Sequence, residues 1–230
     1  MGARELASFA ALLADETRAG FCLALLDGRA WTAGELARAG GVAASTASEH
    51  LGKLVAGGLL SEARQGRHRY VRIADEGVAH LVEELAAYAG GGDTAPRGLR
   101  AVNAEAALAR GRTCYDHLAG RLGIAITEAM VGRGLLEVGA GVALSGQGVE
   151  WFGELGIPLE VRGRRPLVRV CLDWTERKPH LAGVAGAALC RHAMEVGWCE
   201  RVGRGRAVRV TGGGERVLGA VLGISAESLR

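Results

Sequence analysis

The stretch "TAGELARAGGVAASTASEHLGKLVAGGLL" at residues 32–60, followed directly by "SEARQGRHRYVRI" at 61–73, decides how the rest of this 230-residue chain is read. Thr32 and Glu35 have the Thr-x-x-Glu spacing in which each side chain satisfies the other residue's free backbone N–H, so a helix is predicted to start there. The Gly40-Gly41 pair ends it and permits a tight turn. Ala47, His50, Leu51 and Leu54 then recur at helical spacing, which predicts a second helix over 44–56 closed by Gly57-Gly58. β-type residues on both sides of Gln65-Gly66 predict a hairpin. Arg64, Arg67, Arg69 and Arg72 make that hairpin locally basic against Glu62 alone.

Working outward, Leu6, Phe9, Ala10 and Leu13 put an apolar face on a first helix. Asp15 caps a further helix at 16–26, and Asp27-Gly28 ends it. Downstream, Val78, Leu81, Val82 and Leu85 form a stripe on a helix at 76–89. Helix, glycine turn, helix and basic hairpin is the winged helix-turn-helix order, whose second helix enters the DNA major groove while the hairpin reaches flanking backbone or minor groove. Small and hydroxylated residues at the start of that helix suit close approach to base edges and phosphates. The expected DNA-contacting set is therefore Ala44, Ser45, Thr46, Ser48, His50 and Lys53, with Arg64, Gln65, Arg67, His68 and Arg69 on the wing. The outer helices would bury a two-fold interface, as a homodimer reading a palindromic site requires.

Residues 5–90 resemble the ArsR/SmtB family of bacterial transcriptional regulators. The resemblance rests on "LADETR" at 13–18, "ELARAGGVAASTASEHLGKLVAGGLL" at 35–60 and "RQGRHRYVRI" at 64–73. It implies a dimeric winged-helix repressor that a signal releases from double-stranded DNA at its operator. Glu16 and Ser45 stand where the family frequently has proline, and Glu49 and Gly52 where it frequently has basic residues. The resemblance also raises metal sensing, but "AWTAGEL" stands where metal-sensing members carry a Cys-x-Cys-type motif. Asp75, His80 and Glu83 offer one imidazole with scattered carboxylates on the last helix, so no metal site is assigned there.

The fold class expected for the whole chain is mainly α with small β-hairpins, an α+β protein. Composition fits two domains, with 49% hydrophobic residues and no apolar run long enough to cross a bilayer. Residues 1–92 carry a net charge of −2 and residues 93–230 one of +5. "AGGGDTAPRG" at 89–98 has linker composition. The expected layout is a DNA-binding and dimerisation domain at 1–90, a linker at 91–98, and a sensor or effector domain at 99–230. A cytoplasmic protein with no membrane contact is expected, its five cysteines free thiols. "HLAG" occurs at 117–120 and 180–183, and glycine and apolar anchors continue in the same register, so the second domain reads as two degenerate winged-helix-like repeats, at about 112–155 and 175–223.

The chemically suggestive stretch is "RTCYDHLAG" at 112–120. As a helix it would place Cys114 and His117 on one face. Cys114, Tyr115 and His117 are the candidate sensing residues, with three functional readings open: a redox-active thiolate, two ligands of a metal or haem iron, or a catalytic Cys–His dyad; beside them stands a buried cysteine with a capping Asp116 or a satisfied His117. The cofactor is left unassigned, a small-molecule or redox effector being the expected class of partner. Cys171 in "PLVRVCLDW" is assigned to the core, and Cys190, His192 and Cys199 sit among apolar neighbours. Arg162, Arg164, Arg165, Arg169, Arg177 and Lys178 read as solvated charges of a connecting segment, and Trp151, Phe152, Trp174 and Trp198 as core. No phosphate-cradling loop, nucleophile elbow or zinc-hydrolase helix occurs, so no enzymatic activity is expected.

Overall fold

The structure, a computed structural model, describes residues 2–65, 68–89, 99–139, 141–161, 163–203 and 205–229. The chain divides into two compact units, Met1–Val82 and Glu83–Arg230, the division falling inside one helix. The expected linker at 91–98 lies outside the described residues.

The first unit holds α1 (Ala3–Leu13), α2 (Glu16–Leu25), β1 (Trp31–Thr32), α3 (Ala33–Ala39), α4 (Ala44–Ala56), β2 (Leu60–Gln65) and β3 (His68–Ile73), and α5 (Glu76–Ala89) begins in it. The capping chemistry read from the sequence is present. Asp15 accepts the Arg18 N–H at 2.9 Å, and Thr32 and Glu35 exchange their bonds at the start of α3. The strands form an antiparallel sheet in the order β1-β3-β2, with Leu60 opposite Ile73 and Gln65 opposite His68. Gly66 and Arg67 lie outside the described residues. Phe21, Leu25, Leu36, Leu51, Leu54, Leu59, Val71 and Ile73 are buried and hold the helices to the sheet. α1 differs from its neighbours: none of its residues is buried, and Leu6 stays 65% exposed.

The second unit opens with the rest of α5, and α6 (Leu99–Arg110) comes next among its described elements. Two runs follow: β4 (Arg112–Cys114), β5 (His117–Ala119), α7 (Gly120–Gly132), β6 (Leu136–Val138), β7 (Val142–Leu144) and α8 (Gly146–Glu154); then β8 (Arg169–Leu172), β9 (Pro179–Ala182), α9 (Gly183–Glu195), β10 (Cys199–Arg201), β11 (Val208–Val210) and α10 (Gly212–Leu222). Each run is hairpin, helix, hairpin, helix. One helix stands between the hairpins of each run, where the first unit has the pair α3 and α4. Leu122, Ile126, Met130, Phe152, Leu181, Leu189, Leu218 and Leu222 lie in one shared core, so the two runs fold as one body. Trp151 and Phe152 meet edge to face within it, and Trp198 is buried there.

One sequence expectation is corrected here. "RTCYDHLAG" is a hairpin followed by a helix start, with Cys114 directly opposite His117 across β4 and β5. Tyr115 turns the chain at φ 58°, a left-handed conformation that a helix interior does not accommodate. The helix begins only at Gly120, whose φ of 71° matches the 78° of Gly183 in the second "HLAG".

Three residues further on, Gly123 and Gly186 make close contacts. A Cβ on Gly123 would lie 2.3 Å from the Leu118 carbonyl oxygen and 3.5 Å from the His180 Cβ; on Gly186 it would lie 2.5 Å from the Leu181 oxygen and 3.3 Å from the His117 Cβ. Each helix thus packs on its own hairpin and on the histidine of the other. Gly123→Ala is expected to destabilise the protein by about 1–3 kcal/mol through overpacking. Gly132→Ala, where a Cβ meets nothing within 4 Å, is expected to be neutral or to stabilise by about 0.5–1 kcal/mol. Urea unfolding followed by circular dichroism separates the two outcomes.

Candidate nucleic-acid interface and a buried cysteine–histidine cluster

The start of α4 is built for approach. Leu51, Leu54 and Ala47 are buried, which turns Ala44, Ser45 and Ser48 outward; Thr46 is half-buried. Unlike α2 and α3, α4 has no side-chain cap at its N-cap residue Ala43 and no acid in its first turn. Its first N–H groups and the positive end of its dipole are therefore not neutralised by the protein's own carboxylates. Arg64 and Gln65 are exposed on β2, with Arg64 opposite Arg69 in register. Arg69 is half-buried and its Nε donates to Glu62 Oε2 at 2.6 Å, so part of its charge is answered within the hairpin. Lys53 is exposed and pairs with Glu49 at 2.7 Å, one turn away, an ion pair that water screens.

His50 sits differently from the exposed serines. Its ring is half-buried and lies 3.6 Å from the Asp15 carboxylate, facing the capped start of α2 and not the outer edge of α4. The helical period explains this, because position 50 falls beside the buried Leu51 and Leu54 stripe. Arg67 lies outside the described residues, and of His68 only the backbone is described.

The second unit contains a constellation that the sequence reading half found. Cys114 and His117 face each other across β4 and β5, and Cys171 and His180 do the same across β8 and β9. One donor atom from each of the four lies within 4.8 Å of every other, and all four residues are buried. The two sulfurs are 3.8 Å apart, and the imidazole rings stack with centroids 5.1 Å apart. Cys171 is thus not a plain core residue: the hairpin pairing places it against Cys114 and both histidines. Ala119 and Ala182 complete a small apolar box around the sulfurs. Tyr115 serves the cluster through its backbone turn.

A carboxylate lies beside each ring, within hydrogen-bond distance at His117 alone. Asp116 Oδ1 lies 3.3 Å from His117 Nδ1, and the same carboxylate receives a two-pronged grip from Arg165 at 2.7 and 3.1 Å. Asp173 Oδ2 lies 3.8 Å from His180 Nδ1; it accepts Arg112 Nη2 at 2.9 Å and the Gly120 N–H at 2.6 Å. Arg165 is therefore a structural partner, and not one of the solvated arginines of a connector. Burial opposes charge on His117, but Asp116 and the Cys171 sulfur outweigh it and raise its pKa to about 9. Burial works against Asp173 too, yet Arg112 and the donors of Thr175 and Gly120 bring its carboxyl down to about 2. Burial and the Cys171 sulfur push the Cys114 thiol up, whereas Cys114, His117 and His180 pull Cys171 well below the usual thiol range. His117 Nε2 and His180 Nε2 are buried without a hydrogen-bond partner among the described residues.

Sequence reasoning missed Cys171, His180 and both aspartates, although a signal existed. Cys-x-Asp precedes His-Leu-Ala-Gly in both copies, as "CYDHLAG" at 114–120 and as "CLD" at 171–173 with "HLAG" at 180–183; the second copy has six more residues between Asp and His. The remaining cysteines are core. Cys22, Cys190 and Cys199 are buried, and burial raises each to about 12. His192 meets Trp198 edge-on at 5.0 Å. Glu83, considered as a ligand on α5, is buried and paired with Arg206 at 2.7 Å.

With helix pair, wing and sheet in place, the class of protein is that of regulators which bind DNA through a winged helix-turn-helix. A helix-turn-helix domain model matches residues 13–63. Over 213 residues the chain is 38% identical to the HTH-type transcriptional regulator YdfF of Bacillus subtilis (strain 168), across 91% of this chain and 93% of that one. Similar solved structures include the homodimeric winged helix-turn-helix DNA-binding domain of Mb0332 from Mycobacterium bovis, a possible ArsR-family regulator, at 34% identity over 37% of this chain and 79% of that one with a TM-score of 0.35. NolR from Sinorhizobium fredii is 27% identical over 39% and 89%, with a TM-score of 0.36. The chain belongs to the HTH-type transcriptional regulators. Among the described residues, no helix is long and apolar enough to cross a membrane.

Asp173 and Arg112 are both fully buried, so removing one strands the other's charge. Asp173→Ala is expected to destabilise the protein by about 3–5 kcal/mol, while Asp75→Ala, an exposed cap of α5, is expected to cost about 1 kcal/mol. Chemical denaturation of both variants checks the difference.

Proposed function

We propose that this regulator acts as a homodimeric repressor, reading a palindromic operator through the exposed edge of α4 and gripping flanking phosphates through the β2–β3 wing. The observation that carries the reading is the outer face of α4: small and hydroxylated residues Ala44, Ser45 and Ser48 exposed, with an N-terminus free of side-chain caps and acids. Such a surface lets the backbone come close to bases and gives the dipole a phosphate to meet. Ser45, Thr46 and Ser48 are the base-reading candidates, with Arg64, Arg67 and Arg69 on the backbone. Lys53 and Gln65 are supporting contacts, and His50 is left out because its ring faces Asp15.

Dimerisation is supported by apolar side chains left open: Leu6 on α1, and Leu85 and Tyr88 on α5, are 65%, 47% and 93% exposed. Apolar groups of this size on amphipathic helices are readily covered by a second copy. The second unit would supply the input that controls operator binding, since a minimal winged helix already suffices for DNA. The identical order of hairpins and helices in its two runs supports their reading as degenerate winged-helix repeats that lack a groove-entering helix.

Fluorescence anisotropy on the protein's own upstream DNA, across a salt series, tests the reading. Arg64→Ala is expected to weaken binding to all sequences and to lower the salt slope by about one. Ser45→Ala is expected to change preference among operator variants by about 1–3 kcal/mol per affected base pair. Leu6→Glu is expected to shift sedimentation toward monomer and to weaken binding to a two-half-site operator, leaving half-site contacts intact. Footprinting at low ionic strength with no protection on any promoter fragment would sink the proposal.

A further inference from the structure

We propose that Cys114, His117, Cys171 and His180 bind one divalent metal ion of the zinc class, a closed tetrahedral site that ties the β4–β5 hairpin to the β8–β9 hairpin. The donor set is two soft sulfurs and two imidazoles, the combination that selects zinc-like ions in tetrahedral geometry. Spacing agrees: zinc–sulfur bonds of about 2.3 Å at the tetrahedral angle set two sulfurs about 3.8 Å apart, and these sulfurs are 3.8 Å apart. Bonded sulfurs would be about 2.05 Å apart.

The buried orphan atoms point the same way. His117 presents Nδ1 to Asp116 and so leaves Nε2 facing the cluster. His180 has Asp173 on its Nδ1 side, although at 3.8 Å, and its Nε2 is likewise without a partner among the described residues. The carboxylate behind His117 fixes that ring and raises its basicity, the usual support of a metal-bound imidazole. Three buried ring nitrogens of the cluster, His117 Nε2 and both nitrogens of His180, have no hydrogen-bond partner among the described residues; such groups are costly in a core, and a metal ion held by one nitrogen of each ring satisfies two of them.

Charge closes as well. On binding, the protons held by the sulfurs and by the ligating imidazole nitrogens pass to solvent, leaving two thiolates that neutralise a divalent ion and two neutral imidazoles. Asp116 is answered by Arg165 and Asp173 by Arg112. The assembly buries no net charge. The ion joins residues that the chain separates by 57 positions at the cysteines, and all four positions are filled by protein, so the site is structural in kind, with no open position for substrate.

The test uses the full chain purified under reducing, chelator-free conditions. Elemental analysis is expected to find one zinc-class ion per chain. Cobalt(II) substituted into the site is expected to give thiolate-to-cobalt charge transfer and the intense visible bands of a tetrahedral ion. X-ray absorption of the zinc form should show two sulfurs at about 2.3 Å and two nitrogens at about 2.0 Å. Cys171→Ser and His180→Gln should abolish the cobalt spectrum, Asp116→Asn should weaken affinity about 10–100-fold, and Cys199→Ala should leave it unchanged. The wild-type absorption spectra stand even where a variant fails to fold. Reduced wild-type protein that takes up no ion, a cobalt spectrum without sulfur ligation, a Cys114–Cys171 disulfide persisting under reduction, or undiminished binding by Cys114→Ala/Cys171→Ala would each overturn the proposal. DNA is not part of this readout, so failure of the operator reading and failure of the metal site are told apart.

Discussion

A carboxylate that is fully shut away from water has to be surrounded by donors, and Asp173 shows what that requirement organises. Its Oδ2 accepts Arg112 and the backbone N–H of Gly120; its Oδ1 accepts the Thr175 N–H and hydroxyl and the Glu176 N–H. Arg112 is in turn held by the Leu108 carbonyl and lies over the Trp174 ring. One side chain therefore fixes the turn between β8 and β9, the end of α6 and the first residue of α7. Asp116 does the reciprocal work through Arg165, which also donates to the Gly183 carbonyl at the start of α9. Each aspartate reaches the glycine that opens the other run's helix, directly or through its arginine, so neither run completes its polar contacts alone.

This reciprocity sets the cysteine–histidine cluster. Cross-strand pairing puts a thiol opposite an imidazole in each hairpin, and the close approach at Gly123 and Gly186 brings each helix against the other hairpin's histidine. The four donors converge because the packing of the two runs leaves them no other place. The first unit has a different logic. Its polar groups are satisfied locally, by Asp15, Thr32 and Glu35 at helix starts, and its apolar residues meet in a sheet-backed core. Within that unit α2 and α3 are capped by side chains, whereas α4 starts without one.

Much of the first unit was legible from the chain. The limits of α4, the Thr32–Glu35 box and the basic hairpin followed from period and capping, because these are interactions over three or four residues that the sequence writes out directly. The position of the His50 ring was not legible, since helical period alone does not say that Asp15, the cap of α2, will lie beside it. The conformation of "RTCYDHLAG" was not legible, because a Cys–His pair at i and i+3 fits a helix face and a two-residue hairpin equally well; the left-handed Tyr115 decides for the hairpin.

The sequence by itself determined the family, the winged helix-turn-helix and the doubled "HLAG", all carried by residues near one another along the chain. Only the tertiary structure decided that Cys171 and His180 stand beside Cys114 and His117, and that Arg112 and Arg165 are buried partners of aspartates rather than surface charges. Those contacts join residues roughly fifty to sixty positions apart, and no local period encodes them. They exist because buried charge and buried ring nitrogens must find partners in three dimensions, whichever part of the chain supplies them.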